Sequence, residues 1–242
     1  VLQSIIIHLS DGVFMRIRGL TVVLLLPALL HAGDVTGKVF FKGSVPKPVR
    51  IQMNADPRCS ALHKTPVYTE DVVLNANGTL SNVVVSVKSG LPGQKYPAPS
   101  QKVVFNQEGC QYIPHVVAMM VGQTLEVVND DPTLHNVHTL SKLNAPFNIA
   151  QPKQGMRMDR TFDHAETFKV KCEVHPWMAA YIAVFDNPYY AVTGKDGQFS
   201  IKGLPAGDYV LEAWHERFGT RTIHVKVGPK GTSTANMTYE LK

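Results

Sequence analysis

The sequence predicts an all-β protein on three observations. Short runs that alternate apolar and polar residues recur from Gly33 onward: "GKVFFKG", "TLSNVVVSVKSG", "HVVAMMVGQTLEVVND", "ETFKVKCEV" and "AAYIAVFD". Gly, Pro and Asn separate these runs about every ten residues, the punctuation of a sandwich or barrel. No stretch holds the period of an amphipathic helix. With 44% hydrophobic and 18% charged residues, the 242-residue chain has enough apolar material for one or two cored domains. Its net charge of +5 comes from scattered Lys and Arg, which argues against a nucleic-acid groove.

Residues 1–32 stand apart. Arg16 and Arg18 precede an apolar run from Leu20 to Leu30, and the small residues Ala32 and Gly33 follow, the pattern of a secretory signal peptide. Met15 reads as the natural start, and the residues before it as an upstream reading frame. The run falls short of the roughly 20 apolar residues of a membrane span, so the expectation is a periplasmic or otherwise exported protein, soluble after cleavage; an uncleaved anchor is the alternative.

Residues 33–102 form an N-terminal β region, and "GLPGQKYPAPSQK" at 90–102 reads as a linker. After Asn187, Lys195-Asp196-Gly197 is a hairpin turn and Leu204 to Gly207 a second tight connection, so five short strands fit between Tyr189 and Leu241. From Asp196 to Leu211 the chain resembles the carboxypeptidase regulatory-like, transthyretin-like β-sandwich, a module whose usual role is structural or interactive. Five strands are too few to close such a sandwich. Gly37–Gly43, with Val83–Lys88 as a further candidate, is therefore expected to complete the sheet of residues 187–242.

The chemistry concentrates in "ETFKVKCEVHPWM". Phe168, Val170 and Cys172 alternate onto one strand face, which aims the thiol into the core, and Pro176 ends the pairing so that His175 and Met178 return toward the sulfur. A further strong ligand is needed, and "LEVVNDDPTLHNVHTL" offers His135 and His138. In an extended segment an offset of three puts them on opposite faces, so one is the ligand and the other peripheral. Two imidazoles, a thiolate and a weak thioether are the ligand set of a blue-copper electron-transfer site. Zinc would favour a carboxylate, water or second thiolate over the thioether.

"CEVHPWM" together with the upstream "HNVH" resembles the cupredoxins, and its C-x2-H-x2-M spacing is that of amicyanin. The resemblance covers roughly residues 103–186 and implies a Greek-key β-sandwich beside the smaller transthyretin-like one. It places the ligands of one type 1 copper, cycling between Cu(I) and Cu(II), on His135, Cys172, His175 and Met178, and leaves His138 on the outer face. It also implies that Asn136 ties the two ligand loops together by hydrogen bonding, and that the His175 ring edge, flanked by Pro176 and Trp177, is the electron exit against a transient redox partner. The expected function is an exported single-electron carrier, not an enzyme. A copper chaperone or storage module, or a structural β protein without metal, are the alternatives.

Cys59 and Cys110 remain, each followed by a histidine, His63 or His115. An exporting compartment favours a disulfide, which for a loop of this size would contribute about 4 kcal/mol. The alternative is a second metal site of Cys59, His63, Cys110 and His115. Met119 and Met120 face opposite ways in a strand and read as core filling, while Met156 and Met158 in "GMRMD" read as part of a polar loop.

Overall fold

The computed structural model describes residues 32–240. The apolar run with Arg16 and Arg18, and with it the signal-peptide reading, lies outside the described residues. Among the described residues no helix is long and apolar enough to cross a membrane.

Apart from one short helix, the regular structure of the described residues is all strand. It begins with β1 (Ala32–Lys42), one short helix α1 (Pro57–Ala61) and β2 (Val84–Ser89). A middle group follows: β3 (Val103–Glu108), β4 (Gln111–Ile113), β5 (Val116–Met120), β6 (Leu125–Asn129), β7 (His135–Thr139), β8 (Asn148–Gln151), β9 (Met156–Arg160), β10 (Glu166–Lys171) and β11 (Ala179–Phe185). The last group is β12 (Tyr190–Val192), β13 (Gln198–Pro205), β14 (Gly207–His215), β15 (Gly219–Val227), β16 (Thr232–Thr234) and β17 (Met237–Glu240). The three-residue β16 accounts for the strand beyond the five expected there.

The middle group makes one sandwich, with sheets ordered β5-β11-β10-β7-β8 and β4-β3-β6-β9. The chain crosses repeatedly between these sheets, the Greek-key habit of such sandwiches. Alternation decides the faces. Ala180, Ile182 and Val184 of β11 point into the core with Phe168 and Val170 of β10, while Tyr181 and Phe185 point out. β9 corrects the reading of "GMRMD" as a loop: Met156 to Arg160 pairs antiparallel with β6. This strand lies at a sheet edge, where Arg157 and Asp159 stay exposed and pair with Glu126 and Lys102, so its composition is polar.

The second sandwich is assembled from distant parts of the chain. β1 lies beside β13 and runs parallel to β16 and β17, and β2 lies between β12 and β14 in the facing sheet. Val35, Val39, Leu80, Val83 and Val85 share its core with Ile201, Leu204, Leu211 and Tyr239. Gly37 is required in β1, because a Cβ there would lie 2.0 Å from the carbonyl oxygen of Ala235, where the chain passes between β16 and β17. Residues 90–102 carry no strand, but Tyr96 meets the Tyr189 ring edge-on at 5.7 Å.

The two sandwiches pack back to back. Val84, Val116 and Ala183 are buried between them, Trp214 meets Tyr181 at 5.1 Å, and His115 pairs with Glu216. The segment between β1 and β2 divides its allegiance, since Ile51, Met53, Cys59 and Val67 pack on the core of the middle sandwich. This excursion carries α1 across to the predicted ligand loop.

His215, at the end of β14, is 1% exposed, stacks on Phe218 at 4.6 Å and accepts the Arg217 N–H at Nδ1. Burial, joined by the nearby His115, pushes its pKa down from 6.5 to about 4. The unfolded chain therefore takes up this proton first, and stability present above pH 6.5 drains away as the pH falls through about 4. The full loss is on the order of 3 kcal/mol. Unfolding free energies from urea denaturation at about pH 7 and about pH 4.5 will differ by less in His215→Gln than in the wild type, by an amount of that order.

Candidate metal centre

Cys172 follows the last residue of β10, and continuing alternation from Phe168 and Val170 carries its side chain inward. The loop after it closes on itself: Met178 N–H donates to the His175 carbonyl at 2.9 Å, Cys172 N–H to the Met178 carbonyl at 3.1 Å, and His175 N–H to Cys172 Sγ at 3.4 Å. His135 opens β7 and points into the same core. His138, three residues on, lies on the outer face against Glu173. Asn136 bridges the segments, its Oδ1 accepting both the Cys172 thiol at 3.3 Å and the Glu173 N–H at 2.6 Å.

The donors converge. His135 Nδ1 lies 2.9 Å from His175 Nδ1, Cys172 Sγ lies 3.9 Å from the latter, and these three donor atoms all fall within 4.8 Å of one another. Met178 is buried at the end of the same loop. None of the four residues is more than 2% exposed.

Two carboxylates decide which ring nitrogens are free. His135 Nε2 sits 2.8 Å from Asp131 Oδ2, and His175 Nε2 sits 3.0 Å from Asp56 Oδ2. An ionised carboxylate only accepts, so each Nε2 carries the hydrogen and each Nδ1 keeps its lone pair. Two lone pairs 2.9 Å apart repel unless a proton or a metal cation lies between them. This donor chemistry fits a soft metal ion held between the imidazoles and the thiol.

Without a metal, the surroundings also favour charge on the thiol and on one imidazole. Burial raises the Cys172 pKa, but His135, with Asn136 and His175, outweighs it and leaves the thiol more acidic than usual. Burial also opposes charge on His135, yet Asp131 and Cys172 together hold its pKa above the ordinary value. Asp131 is buried as well, but His135 and the N–H groups of Cys110 and Gly109 keep it a carboxylate. Asp56 is held down chiefly by His175.

Cys59 and Cys110 form a disulfide, so their sulfurs are not free thiolates for a second metal site. His63 is occupied with the Gly109 carbonyl and His115 with Glu216 between the sandwiches. The cross-link lies beside the centre, with Cys59 Sγ 3.5 Å from His175 Nε2 and the Cys110 carbonyl accepting Trp177 Nε1–H at 3.1 Å. The His175 ring edge, expected as the electron exit, is itself enclosed: the residue is 1% exposed, with α1 and the disulfide over it. Pro176 and Val174 remain exposed and Trp177 half-buried, so they and Pro57 form the surface above the site.

Sequence reasoning missed Asp56 and Asp131. Both stand directly before a proline, in "ADPR" and "DDPT", where the chain must turn. That signal marks a turn and gives no indication of the histidine each carboxylate meets.

Residues 175–240 match the model of the carboxypeptidase regulatory-like domain. No curated protein matches the chain. Among solved structures, similarity is found to the copper-containing nitrite reductase of Thermus scotoductus at 26% identity and a TM-score of 0.32, covering 40% of this chain and 25% of that one. A purple cupredoxin of Nitrosopumilus maritimus is 22% identical with a TM-score of 0.30, covering 34% of this chain and 98% of that one. A methionine-to-glutamine mutant of amicyanin in its Cu(I) form is 23% identical with a TM-score of 0.32, covering 35% of this chain and 82% of that one. The chain thus spans a quarter of the nitrite reductase but most of each small cupredoxin.

Proposed function

We propose that this chain is an exported copper protein that holds one ion among His135, Cys172, His175 and Met178 and passes single electrons between redox proteins. The observation that carries the reading is the pair of imidazole Nδ1 atoms 2.9 Å apart beside the Cys172 sulfur, each ring already committed to a carboxylate through its other nitrogen. Copper, when bound, supplies a one-electron couple.

The chain's own residues supply the rest. Cys172 offers a soft donor whose proton is easily lost, and Asn136 fixes its direction. Met178 brings the weak thioether that copper tolerates and zinc does not favour. The enclosing sandwich excludes water and limits rearrangement, as a carrier needs. Val174, Pro176 and Trp177 are the apolar route to a transient partner, in place of the covered His175 edge. The Cys59–Cys110 disulfide supports export, since such cross-links persist in oxidising compartments.

A storage or chaperone role is the second reading, favoured by the near-complete burial of all four donors. One experiment separates the readings. The purified metal-free chain is titrated with Cu(II) and followed by metal analysis, visible and electron-spin-resonance spectra, and voltammetry. A carrier takes up about one copper per chain, turns intensely coloured through a thiolate-to-copper transition and gives a reversible wave. Tight Cu(I) binding without that wave selects storage, and a colourless protein that takes no copper ends both.

A further inference from the structure

The Cys59–Cys110 disulfide touches both halves of the ligand set, although neither cysteine is a ligand. On one side Asp56 is the N-cap of α1, its Oδ1 accepting the Arg58 N–H at 2.9 Å and its Oδ2 accepting Thr133 Oγ1–H at 3.2 Å and His175 Nε2–H at 3.0 Å. On the other side Cys110 donates its N–H at 2.7 Å to Asp131, the carboxylate on His135. A helix of five residues has little stability of its own. Besides the contacts of Asp56 itself, α1 and its flanks are attached to the middle sandwich by the disulfide, by the packing of Met53, by His63 on the Gly109 carbonyl at 2.7 Å and by a long Arg58 Nη1 bond to the Pro132 carbonyl at 3.4 Å.

We propose that Asp56 is a positioning residue for His175, latched onto it by the Cys59–Cys110 disulfide. Its carboxylate keeps the hydrogen on Nε2 and so presents the Nδ1 lone pair to the centre, and it fixes the ring plane. It also makes the imidazole a stronger donor, which favours the more highly charged state of a bound metal. The disulfide supplies the covalent constraint that a single turn of helix lacks. The inference rests on the proposed copper reading for its redox consequence, but its geometric part concerns the metal-free protein.

The test uses the full chain as wild type, as Asp56→Ser and as the double variant Cys59→Ala/Cys110→Ala. Serine retains the capping role at Asp56 but is too short to reach His175. In the metal-free proteins, long-range nitrogen–proton NMR of the rings reads the tautomer. The wild type is expected to show His175 with hydrogen on Nε2, and both variants a mixture. With copper, both variants should lose about tenfold in preference for Cu(II) over Cu(I), a rise in potential of about 59 mV. An unchanged His175 tautomer and an unchanged potential in Asp56→Ser would overturn the positioning role. A shift in Asp56→Ser with none in the folded double variant would overturn the latch. If no variant binds copper, the copper reading fails while the tautomer still decides the role of Asp56.

Discussion

Cys172→Ser will abolish the visible thiolate band and weaken copper binding by about a hundredfold or more, while the chain stays folded. Loss of a group that merely supports a metal ligand already costs about 10- to 100-fold in affinity, and here the proposed donor itself is removed. A hydroxyl keeps its proton near neutral pH and is a hard donor, so it replaces neither the charge nor the softness of the thiolate. The fold should survive because serine inherits the local bonds: its hydroxyl can donate to Asn136 Oδ1 and accept from the His175 N–H, as Cys172 Sγ does. Optical titration with Cu(II), alongside thermal melting of the metal-free forms, reads both parts. A spectrum unaltered by the substitution would mean that the ligand set is wrong.

A fragment of residues 187–242 will not fold. It contains β12 to β17 but lacks β1, the strand with which β16 and β17 pair, and β2, which joins β12 to β14. The missing segments also withdraw Val35, Val39, Phe41, Leu80, Val83, Val85 and Val87 from the core. At about 1.5–3 kcal/mol for each buried aliphatic or aromatic side chain, their loss is on the order of 10 kcal/mol or more. That is comparable to the whole stability of an ordinary domain. The expected result is a disordered far-ultraviolet circular dichroism spectrum and a featureless thermal scan; a sigmoidal melt would show that β1 and β2 are dispensable.

Where alternation was strong, strands were legible. β1 buries every second residue along its length, and β10 does the same from Phe168 to Val170, a period of two that can be read without knowing the partner strand. β9 was hidden because an edge strand exposed to water keeps its charges, and a charged run resembles a loop in sequence. The centre divides in the same way. Cys172, His175 and Met178 sit within one loop, so their spacing alone brings them together, and His135 and His138 were separable by strand parity. Asp56 was out of reach, since it meets His175 only after a chain separation of 119 residues.

By itself the sequence determined the all-β character, the inward direction of the Cys172 thiol and the tight turn from Cys172 to Met178, because each follows from local backbone signals. Tertiary structure decided what faces those donors: a cap from the excursion between β1 and β2, a disulfide beside His175, and two carboxylates that fix which ring nitrogens are free. Such contacts join segments far apart in the chain. Their partners are chosen by how the sheets pack and not by any spacing along the backbone.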